Sequence, residues 1–237
     1  MSVIWHDLEC GGYVEDLAVW RVLAAEHGGP VLDVGAGTGR IALDLARRGH
    51  AVTALDIDPV LIAELEQRAT GLDVTTVISD ARAFALAERF PLIIVPMQTI
   101  QLLGGHRARR QFLTAAGRHL LPGGVLAVAI SEMLETFSLD EGIRPPTPDM
   151  RELDGIVYSS QPTAVREDSD GFMLERLRER IGPHGDRAVE EDLIRLDRLT
   201  ASQLEREASA AGLNPRARQP VRATDDYVGS VVVVLGG

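Results

Sequence analysis

The sequence predicts an α/β fold with a doubly wound, largely parallel sheet, followed by antiparallel strands. Apolar runs of strand length alternate with amphipathic helical segments up to residue 130. The run at 125–130 is apolar throughout, as expected for a parallel strand that helices cover on both faces. After residue 155, polar and apolar residues alternate, which is typical of antiparallel strands with one face in solvent. The 237 residues fit one domain with an insertion.

The first 130 residues are predicted to contain alternating strands and helices. Apolar residues at helical spacing indicate the helices, and the glycines and prolines at 28–30 and 122–124 end two of them. The predicted helices are 13–26, 39–48, 58–69 and 107–120. The predicted strands are 31–34, 51–55, 74–78, 91–95 and 125–130.

The remaining residues are predicted to form a loop, a β insert, a helix and two last strands. Residues 139–153 are rich in proline and acidic residues, so we expect a loop that could cover a site. Turn-forming segments separate the strand-like runs of the insert, which indicates antiparallel pairing. The runs are 156–166, 171–181 and 187–199; a helix then begins at Thr200 or Ser202 and ends at Gly212, before strands 216–221 and 228–235.

The composition argues against several classes of protein. The net charge of -11 disfavours nucleic acid as a partner, and no segment has the roughly twenty apolar residues that span a bilayer. The N-terminus lacks the pattern of a secretion signal, so a cytoplasmic location is expected. The single cysteine, Cys10, excludes an intramolecular disulfide and a cysteine-built zinc site, and no metal site is expected. All 24 basic residues are arginine, which excludes Schiff-base chemistry at lysine.

A glycine-rich turn follows the first predicted strand. Residues 33–40 read Asp-Val-Gly-Ala-Gly-Thr-Gly-Arg, between a strand and the start of a helix. Such a turn brings a nucleotide-like ligand close to bare backbone amides. The second strand ends at Asp56, about twenty residues after the first glycine, where a carboxylate can accept hydrogen bonds from both hydroxyls of a ribose. The pattern therefore predicts a nucleoside site, the alternative being a glycine turn that only joins a strand to a helix.

The spacing of the turn argues against a dinucleotide. Dinucleotide-binding folds use G-x-G-x-x-G, whose last glycine lies inside the helix beside a pyrophosphate. Here the spacing is G-x-G-x-G, and Arg40 occupies the position of that last glycine. Asp33 precedes the turn, where its carboxylate would repel a pyrophosphate and attract an ammonium group. An NAD-dependent oxidoreductase therefore remains only as an alternative.

These residues resemble motif I of the class I S-adenosylmethionine-dependent methyltransferases. The predicted order of elements is similar to that family as well, and the β insert resembles that of small-molecule methyltransferases, including the aminosugar N,N-dimethyltransferases. The resemblance implies a seven-stranded Rossmann-like sheet whose last two strands form an antiparallel hairpin. It also implies a single methyltransferase domain over residues 1–237. Its parts would be a lid helix at 1–29, a cofactor-binding core at 30–130, the loop and insert at 131–199, and the last helix and hairpin at 200–237.

The resemblance implies S-adenosylmethionine as the cofactor, which becomes S-adenosylhomocysteine after transfer. Asp33 would receive its ammonium group, directly or through water, and Asp56 its ribose hydroxyls. Asp80 would accept the adenine amino group, the alternative being that it caps a helix starting near Ala81. Tyr13 would contact the methionyl carboxylate or the sulfonium. The implied cofactor-binding residues are Tyr13, Asp33, Gly35, Gly37, Gly39, Asp56, Ile57, Asp80, Ala81 and Met97.

Residues after the fourth strand are expected to face the substrate, because ligands bind outside the carboxyl ends of the strands. Gln98 and Gln101 are the candidate substrate-binding residues, and the alternative is that they are surface glutamines at a helix N-terminus. The candidate catalytic residues are His6 and His106 as general bases and Glu132 as a partner of a cationic amine. Each of these three has the alternative of an ordinary solvated side chain.

The sequence thus predicts a methyltransferase that moves a methyl group to a nitrogen or oxygen of a small metabolite by in-line displacement. No general-base motif is evident, which favours an amine that ionises near neutrality. The alternatives are a protein of the same fold that binds the cofactor without methyl transfer, or one that uses it for another reaction. A homodimer through the β insert is left open.

Overall fold

The computed structural model describes residues 3–142, 146–224 and 227–237. The α-helices within these ranges are α1 Val3–Cys10, α2 Leu17–His27, α3 Arg40–Ala46, α4 Pro59–Arg68, α5 His106–His119 and α6 Ala201–Ala210. The first strands are β1 Val31–Val34, β2 Val52–Asp56, β3 Val74–Ile78, β4 Phe90–Val95, β5 Leu120–Ile130 and β6 Phe137–Ser138. The later strands are β7 Asp149–Leu153, β8 Ile156–Glu167, β9 Gly171–Ile181, β10 Arg187–Asp197, β11 Asn214–Val221 and β12 Ser230–Gly236. Short 3-10 helices lie at Thr99–Leu102 and Leu139–Glu141.

A seven-stranded sheet forms the centre of the molecule, in the order β3-β2-β1-β4-β5-β12-β11. Strands β1 to β5 are parallel, whereas β12 pairs antiparallel with both β5 and β11. This order confirms the predicted doubly wound sheet with its antiparallel C-terminal hairpin. From β1 the chain adds β2 and β3 toward one edge of the sheet, and from β4 it adds strands toward the other edge. This reversal of strand order opens a crevice at the carboxyl ends of β1 and β4.

Helices cover both faces of this sheet, which explains why its central strands are continuous apolar runs. Helices α2, α3 and α4 pack on one face and α5 and α6 on the other. Large, fully buried side chains of these helices include Trp20, Leu23, Leu45, Ile62, Leu65 and Phe112. None of the helices in the described ranges is both long and apolar enough to cross a bilayer.

The predicted β insert is a second, antiparallel sheet in the order β10-β9-β8-β6, with β7 pairing along another part of β8. Helix α1 packs against it: the rings of Trp5 and Tyr158 lie 5.4 Å apart edge to face, and Glu9 pairs with Arg178. Strand β10 is an edge strand with exposed Val189 and Leu193. Pairing of two copies through the insert stays a prediction.

The N-terminal segment differs from its prediction. The single helix expected at 13–26 is α2, which begins only at Leu17, and the additional helix α1 was not predicted. Gly11 and Gly12 separate the two helices. Helix α1 has only eight residues, of which Trp5 is the buried one, so its apolar periodicity is too short to read from sequence. Its packing on the rest of the molecule stabilises it instead.

Two further segments differ. Residues 139–153 were predicted to be a loop, but they contain β7 and a 3-10 helix; the part of that prediction at 143–145 lies outside the described residues. The helix considered near Ala81 is absent, because the chain makes a turn in which the Asp80 Oδ1 atom accepts a hydrogen bond from the Arg82 amide at 2.8 Å. The glycines and proline at 122–124 lie inside β5, which begins at Leu120 rather than at 125.

A buried ion network joins the insert to the core and allows a test of the packing. Arg109 on α5 is 3% exposed and donates to both carboxylate oxygens of Glu207 on α6, at 2.9 and 2.8 Å. It also donates to Asp197 at the end of β10, at 2.7 Å. Arg109→Ala should lower the free energy of unfolding by about 3–5 kcal/mol in urea titrations, because two carboxylates lose their buried partner.

The matched control is Arg110→Ala, which removes the neighbouring exposed arginine of the same helix. It should change the free energy of unfolding by no more than about 0.5 kcal/mol. Equal effects of the two substitutions would contradict a stabilising role of the network.

Candidate functional site

The glycine-rich turn between β1 and α3 lies at the crevice where the strand order reverses. Gly35 and Gly37 have φ values of +76° and +56°, which disfavour any residue with a Cβ. A Cβ at Gly35 would collide with the Thr99 side chain, and one at Gly37 with the His6 ring. The glycines therefore keep two neighbouring segments in close contact with the turn, the loop after β4 and helix α1.

Asp56 holds the turn from the end of β2. Its Oδ2 accepts a hydrogen bond from the Gly37 amide at 2.8 Å, and its Oδ1 accepts one from the Asp58 amide at 3.0 Å. These bonds fix the carboxylate beside the turn, and each oxygen keeps a second lone pair for a ligand. The next side chain, Ile57, is 63% exposed, so an apolar surface lies beside the carboxylate.

Asp33 is the most unusual group at the turn. It is 1% exposed, and neither of its carboxylate oxygens has a hydrogen-bonding partner among the described residues. Burial raises the pKa of Asp33 to about 7, although the charge of Arg40 and the nearby Ala42 amide oppose this shift. An unpaired buried carboxylate is costly, and a cationic ligand would remove that cost. The structure thus leaves one buried position that a ligand ammonium group can complete.

Arg40, which distinguishes the turn from the dinucleotide pattern, binds the N-terminal segment. Its Nη1 and Nη2 atoms donate to the Asp16 carboxylate at 2.6 and 2.8 Å, and Nη1 also donates to the Tyr13 carbonyl at 2.8 Å. Tyr13 is 7% exposed, its ring lies 4.9 Å from that of Tyr227, and burial raises its pKa. Both Nη atoms of Arg40 thus donate to Asp16, and neither donates to Asp33.

Helix α1 lies over the turn and carries His6. The Thr38 hydroxyl donates to Asp7 at 2.7 Å, and Arg68 on α4 donates to the same carboxylate at 3.0 and 2.5 Å. The His6 ring lies 3.2 Å from the Thr38 hydroxyl and against Gly37. Burial lowers the pKa of His6, so its imidazole is neutral at pH 7 and able to accept a proton.

The other two candidate catalytic residues lie elsewhere. His106 is 65% exposed at the start of α5, 3.1 Å from Glu207, beside a cavity of about 610 Å³ between α5, α6 and β10. Glu132 was expected to meet a cationic amine or to be solvated. Its side chain is exposed, and its Oε1 accepts a hydrogen bond from the Ala201 amide at 2.6 Å, so Glu132 caps the start of α6.

Asp80 and Ala81 lie at the end of β3, near the exposed side chain of Ile78. Arg82 donates to both oxygens of Asp80, at 2.9 Å from Nε and 2.5 Å from Nη2, and this pairing lowers the pKa of Asp80. A ligand amino group would therefore share the carboxylate with Arg82. The adenine contacts of Asp80 and Ala81 stay a prediction.

The two candidate glutamines in the segment after β4 have different surroundings. Met97 has a φ of +54°, a conformation that is rare for a residue with a side chain. Gln98 donates to the Ser131 hydroxyl at 2.8 Å. Gln101 is 1% exposed. Its Nε2 donates to the carbonyls of Ser131 and Asp197, and its Oε1 accepts a hydrogen bond from the Ser131 amide. Gln101 thus joins β5 to β10 and is not a surface glutamine.

The structure therefore assembles part of the predicted site at one edge of the sheet. The residues at or beside the turn are His6, Tyr13, Asp33, Gly35, Gly37, Gly39, Asp56 and Ile57, and the loop with Met97 packs on it. His106 and Glu132 are outside this group. Sequence reasoning missed Asp7, Asp16 and Arg68, whose partners lie far away along the chain. Among the described residues, no three His, Cys, Asp or Glu side chains are grouped to hold a metal ion.

Comparison with known proteins agrees with this geometry. Residues 31–124, from β1 into β5, match the model of a methyltransferase domain family. This match covers less than half of the chain and falls in the region that the sequence resemblance assigned to the cofactor-binding core. The order of the seven strands is the one that the resemblance implied.

Two curated relatives match part of the chain. The cypemycin N-terminal methyltransferase of a Streptomyces species is 32% identical over 97 residues, 41% of this chain and 40% of that protein. The ubiquinone biosynthesis O-methyltransferase of Pseudomonas entomophila (strain L48) is 33% identical over 99 residues, 41% of this chain and 42% of that protein. The match thus spans about two fifths of each curated relative.

Solved structures match over nearly the whole chain. CalS10, an amino pentose methyltransferase from Micromonospora echinaspora with bound S-adenosylmethionine, has a TM-score of 0.73 and 21% identity, with 100% of this chain and 97% of CalS10 covered. The sugar N-methyltransferase KedS8 from a Streptoalloteichus species has a TM-score of 0.74 and 19% identity, with 98% and 91% covered. At these identities the likeness shows the fold.

The glycopeptide N-methyltransferase MtfA in complex with S-adenosylhomocysteine is also similar. Its TM-score is 0.62 at 25% identity, with 92% of this chain and 86% of MtfA covered. The cofactors bound to CalS10 and MtfA are the pair that the sequence resemblance implied.

The burial of Asp33 predicts opposite effects on stability and on ligand binding. Its pKa is about 7 in the folded chain and near 4 when unfolded, so its contribution to stability is present at low pH and is lost as the pH rises through 7. Asp33→Asn should therefore raise the melting temperature at pH 8 by a few degrees and leave it unchanged near pH 4. The same substitution should weaken S-adenosylhomocysteine at pH 8 by about tenfold.

Calorimetry between pH 5.5 and 8.5 supplies the second measurement. In the natural chain the affinity should fall as the pH drops below about 7, since a bound ammonium group must ionise Asp33. The Asn variant should lack this pH dependence. Equal pH profiles of the two proteins would contradict a contact between Asp33 and the ligand.

Proposed function

We propose that this chain transfers the methyl group of S-adenosylmethionine to a nitrogen or oxygen of a small metabolite. The observation that carries the proposal is the unpaired buried carboxylate of Asp33, at a turn of bare peptide held by Asp56. The Asp33 carboxylate fits an ammonium group, Asp56 fits a ribose, and the bare peptide of the turn fits a thioether chain. A pyrophosphate would instead face the negative charge of the two carboxylates. The matching methyltransferase domain at residues 31–124 supports the same function.

The roles proposed for the cofactor-binding residues follow from their positions. Asp33 would bind the ammonium group, and Asp56 the ribose hydroxyls through its remaining lone pairs. The exposed side chain of Ile57 would cover one face of the adenine, with Asp80 and Ala81 at its edge. The other proposed contacts come from the turn glycines Gly35, Gly37 and Gly39, and from Tyr13 and Met97 on the methionine side.

The bound cofactor supplies an activated methyl group on its sulfonium, so the protein mainly has to position the acceptor and exclude water. Such positioning can lower the barrier by roughly 7–11 kcal/mol. Helix α1, tied to Thr38 and Arg68 through Asp7, would cover the turn and keep water out. The neutral imidazole of His6 would take the proton that the acceptor loses.

An amine is the proposed nucleophile. A neutral imidazole is a sufficient base for an ammonium group that ionises near neutrality, whereas an alcohol needs a stronger one. The relatives include both kinds of enzyme, since one curated relative is an O-methyltransferase. The similar structures KedS8 and MtfA are N-methyltransferases, and the cypemycin enzyme is an N-terminal methyltransferase, which supports nitrogen.

Titration with S-adenosylhomocysteine in a calorimeter tests the cofactor assignment. We expect saturable binding, and Asp56→Ala should weaken it by about 1–3 kcal/mol, because a charge-assisted hydrogen bond is lost. The control Asp73→Ala removes an exposed carboxylate directly before the first residue of β3 and should leave the affinity for S-adenosylhomocysteine unchanged. No detectable binding at millimolar ligand would refute the proposed function.

Substitution of His6 tests its role as a base. His6→Ala should lower kcat by about 10²-fold or more, with the affinity for S-adenosylhomocysteine changed much less, and added imidazole should restore part of the rate. His184→Ala, in an exposed turn of the insert, serves as the control and should keep full activity. An unchanged kcat in the His6 variant would show that His6 only packs α1 against the turn.

A further inference from the structure

Another cavity, here called the α3–β7 cavity, has a volume of about 420 Å³. Its charged lining residues come from four elements and include Asp7 of α1, Arg47 of α3, Arg68 of α4 and Arg151 of β7. It reaches the glycine turn at Thr38 and Gly39, but neither Asp33 nor Asp56 lines it. Small-molecule sites typically measure roughly 300–1,000 Å³. The cavity is therefore large enough for a ligand of its own, separate from the one proposed at Asp33.

Two of the four arginines that line the α3–β7 cavity already have close partners. Arg40 donates to both oxygens of Asp16, at 2.6 and 2.8 Å. Arg68 donates to both oxygens of Asp7, at 3.0 and 2.5 Å, and to Glu64 at 2.7 Å. The charge of these two guanidiniums is therefore balanced within the protein.

The other two arginines, Arg47 and Arg151, lack such close partners in the described part of the chain. Arg47 is exposed and makes no side-chain hydrogen bond or ion pair there. The Arg151 side chain is 51% exposed, and its Nη1 lies 3.8 Å from the Oδ2 atom of Asp7. That oxygen already accepts a hydrogen bond from Arg68 at 2.5 Å. Because close arginine–carboxylate hydrogen bonds are about 2.7–2.9 Å long, Arg47 and Arg151 keep their donors free for an anion.

The charged groups around the α3–β7 cavity have a positive excess. When the ion-paired neighbours of the lining residues are included, six arginines face four carboxylates. The arginines are Arg21, Arg40, Arg47, Arg48, Arg68 and Arg151, and the carboxylates are those of Asp7, Asp16, Asp44 and Glu64. Asp44, which lines the cavity, is itself bound by Arg21 at 2.8 and 2.7 Å, so it does not neutralise Arg47.

Three further carboxylates lie near lining residues along the chain. Glu15 is exposed and lowers the positive excess to one. Asp149 of β7 forms an ion pair with Arg176 at 3.5 Å, so these two add no net charge. Side chains alternate along a strand, so Glu152 points to the face of β7 opposite to Arg151. The positive excess is local, since the whole chain has a net charge of -11, and it favours an anionic ligand.

Apolar side chains contribute to the same lining. Val14, Leu17 and Leu43 line the α3–β7 cavity, and Val14 is 56% exposed. An inorganic anion would leave this apolar surface in contact with water, whereas an organic anion would cover it. The lining thus fits a molecule that has both a charged group and an apolar part.

We propose that the α3–β7 cavity binds an organic phosphate monoester. Its phosphate accepts hydrogen bonds from Arg47 and Arg151, because a phosphate monoester carries nearly two negative charges above neutral pH and matches two guanidiniums. Its apolar part lies against Val14, Leu17 and Leu43. This inference goes beyond the proposed methyl transfer, since it adds a second ligand beside the cofactor.

Titration with three small molecules tests the chemistry of this site, with NMR chemical shifts as the readout at pH 8 and constant ionic strength. Phenyl phosphate has both the charge and the apolar ring, inorganic phosphate has only the charge, and phenol has only the ring. We expect saturable shifts with phenyl phosphate at the amides of residues 38–47. Its affinity should exceed that of inorganic phosphate by at least about fivefold, because the ring covers apolar surface. Phenol should cause no saturable shifts at the same concentrations.

Arg47→Gln and Arg151→Gln each remove one positive charge from the α3–β7 cavity. Each should weaken the binding of phenyl phosphate by about threefold to fivefold, the effect of one exposed charge pair. Arg107→Gln is the matched control, because Arg107 is an exposed arginine of α5 on the other face of the central sheet. It should leave the affinity for phenyl phosphate unchanged. None of the three substitutions should change the affinity for S-adenosylhomocysteine.

The same titration on protein saturated with S-adenosylhomocysteine separates this site from the cofactor site, and we expect an unchanged affinity for phenyl phosphate. Displacement of phenyl phosphate by S-adenosylhomocysteine would overturn the inference, because the cavity would then belong to the cofactor site. An absence of saturable shifts, equal affinities of phenyl phosphate and either other probe, or equal effects of the three substitutions would also overturn it. The proposed function fails separately, when S-adenosylhomocysteine itself does not bind.

Discussion

The arrangement of the site depends on one carboxylate that the fold buries and leaves unpaired. Asp33 lies within a central parallel strand, where burial raises its pKa to about 7. Arg40, whose charge opposes this rise in pKa, donates its hydrogen bonds to Asp16 and not to Asp33. The Asp33 carboxylate is therefore buried without a positively charged bonding partner in the described part of the chain. A ligand with an ammonium group would supply that partner, which links the stability of the protein to its proposed function.

Helix α1 connects this site to the insert. Its Asp7 binds Thr38 and Arg68 on the cofactor side, and its Glu9 binds Arg178 on the insert side. The two faces of one short helix thus contact the glycine-rich turn and the insert sheet. Arginine suits these contacts, because its planar guanidinium binds a carboxylate through two parallel hydrogen bonds.

The sequence was sufficient to predict the features that depend on local patterns. The parallel strands are continuous apolar runs because helices cover both of their faces, and the glycines at 35, 37 and 39 mark a turn that has no room for Cβ atoms. The position of Asp56 was predictable because the strand carrying it ends beside that turn. These features could be read from sequence, since each depends on residues close together in the chain.

The features that sequence did not predict depend on contacts between distant segments. Helix α1 is too short to show a periodicity. Glu132 caps a helix that begins at Ala201, and Gln101 bonds a strand that ends at Asp197. No local pattern distinguishes such residues from solvated polar side chains.

A crystal structure of the chain with S-adenosylhomocysteine tests the central claim most directly. We predict that the α-amino group of the ligand lies within hydrogen-bonding distance of the Asp33 carboxylate, or is joined to it by one water molecule, with the ribose hydroxyls on Asp56. A ligand bound elsewhere, or one that leaves both oxygens of Asp33 without a partner, would contradict the account.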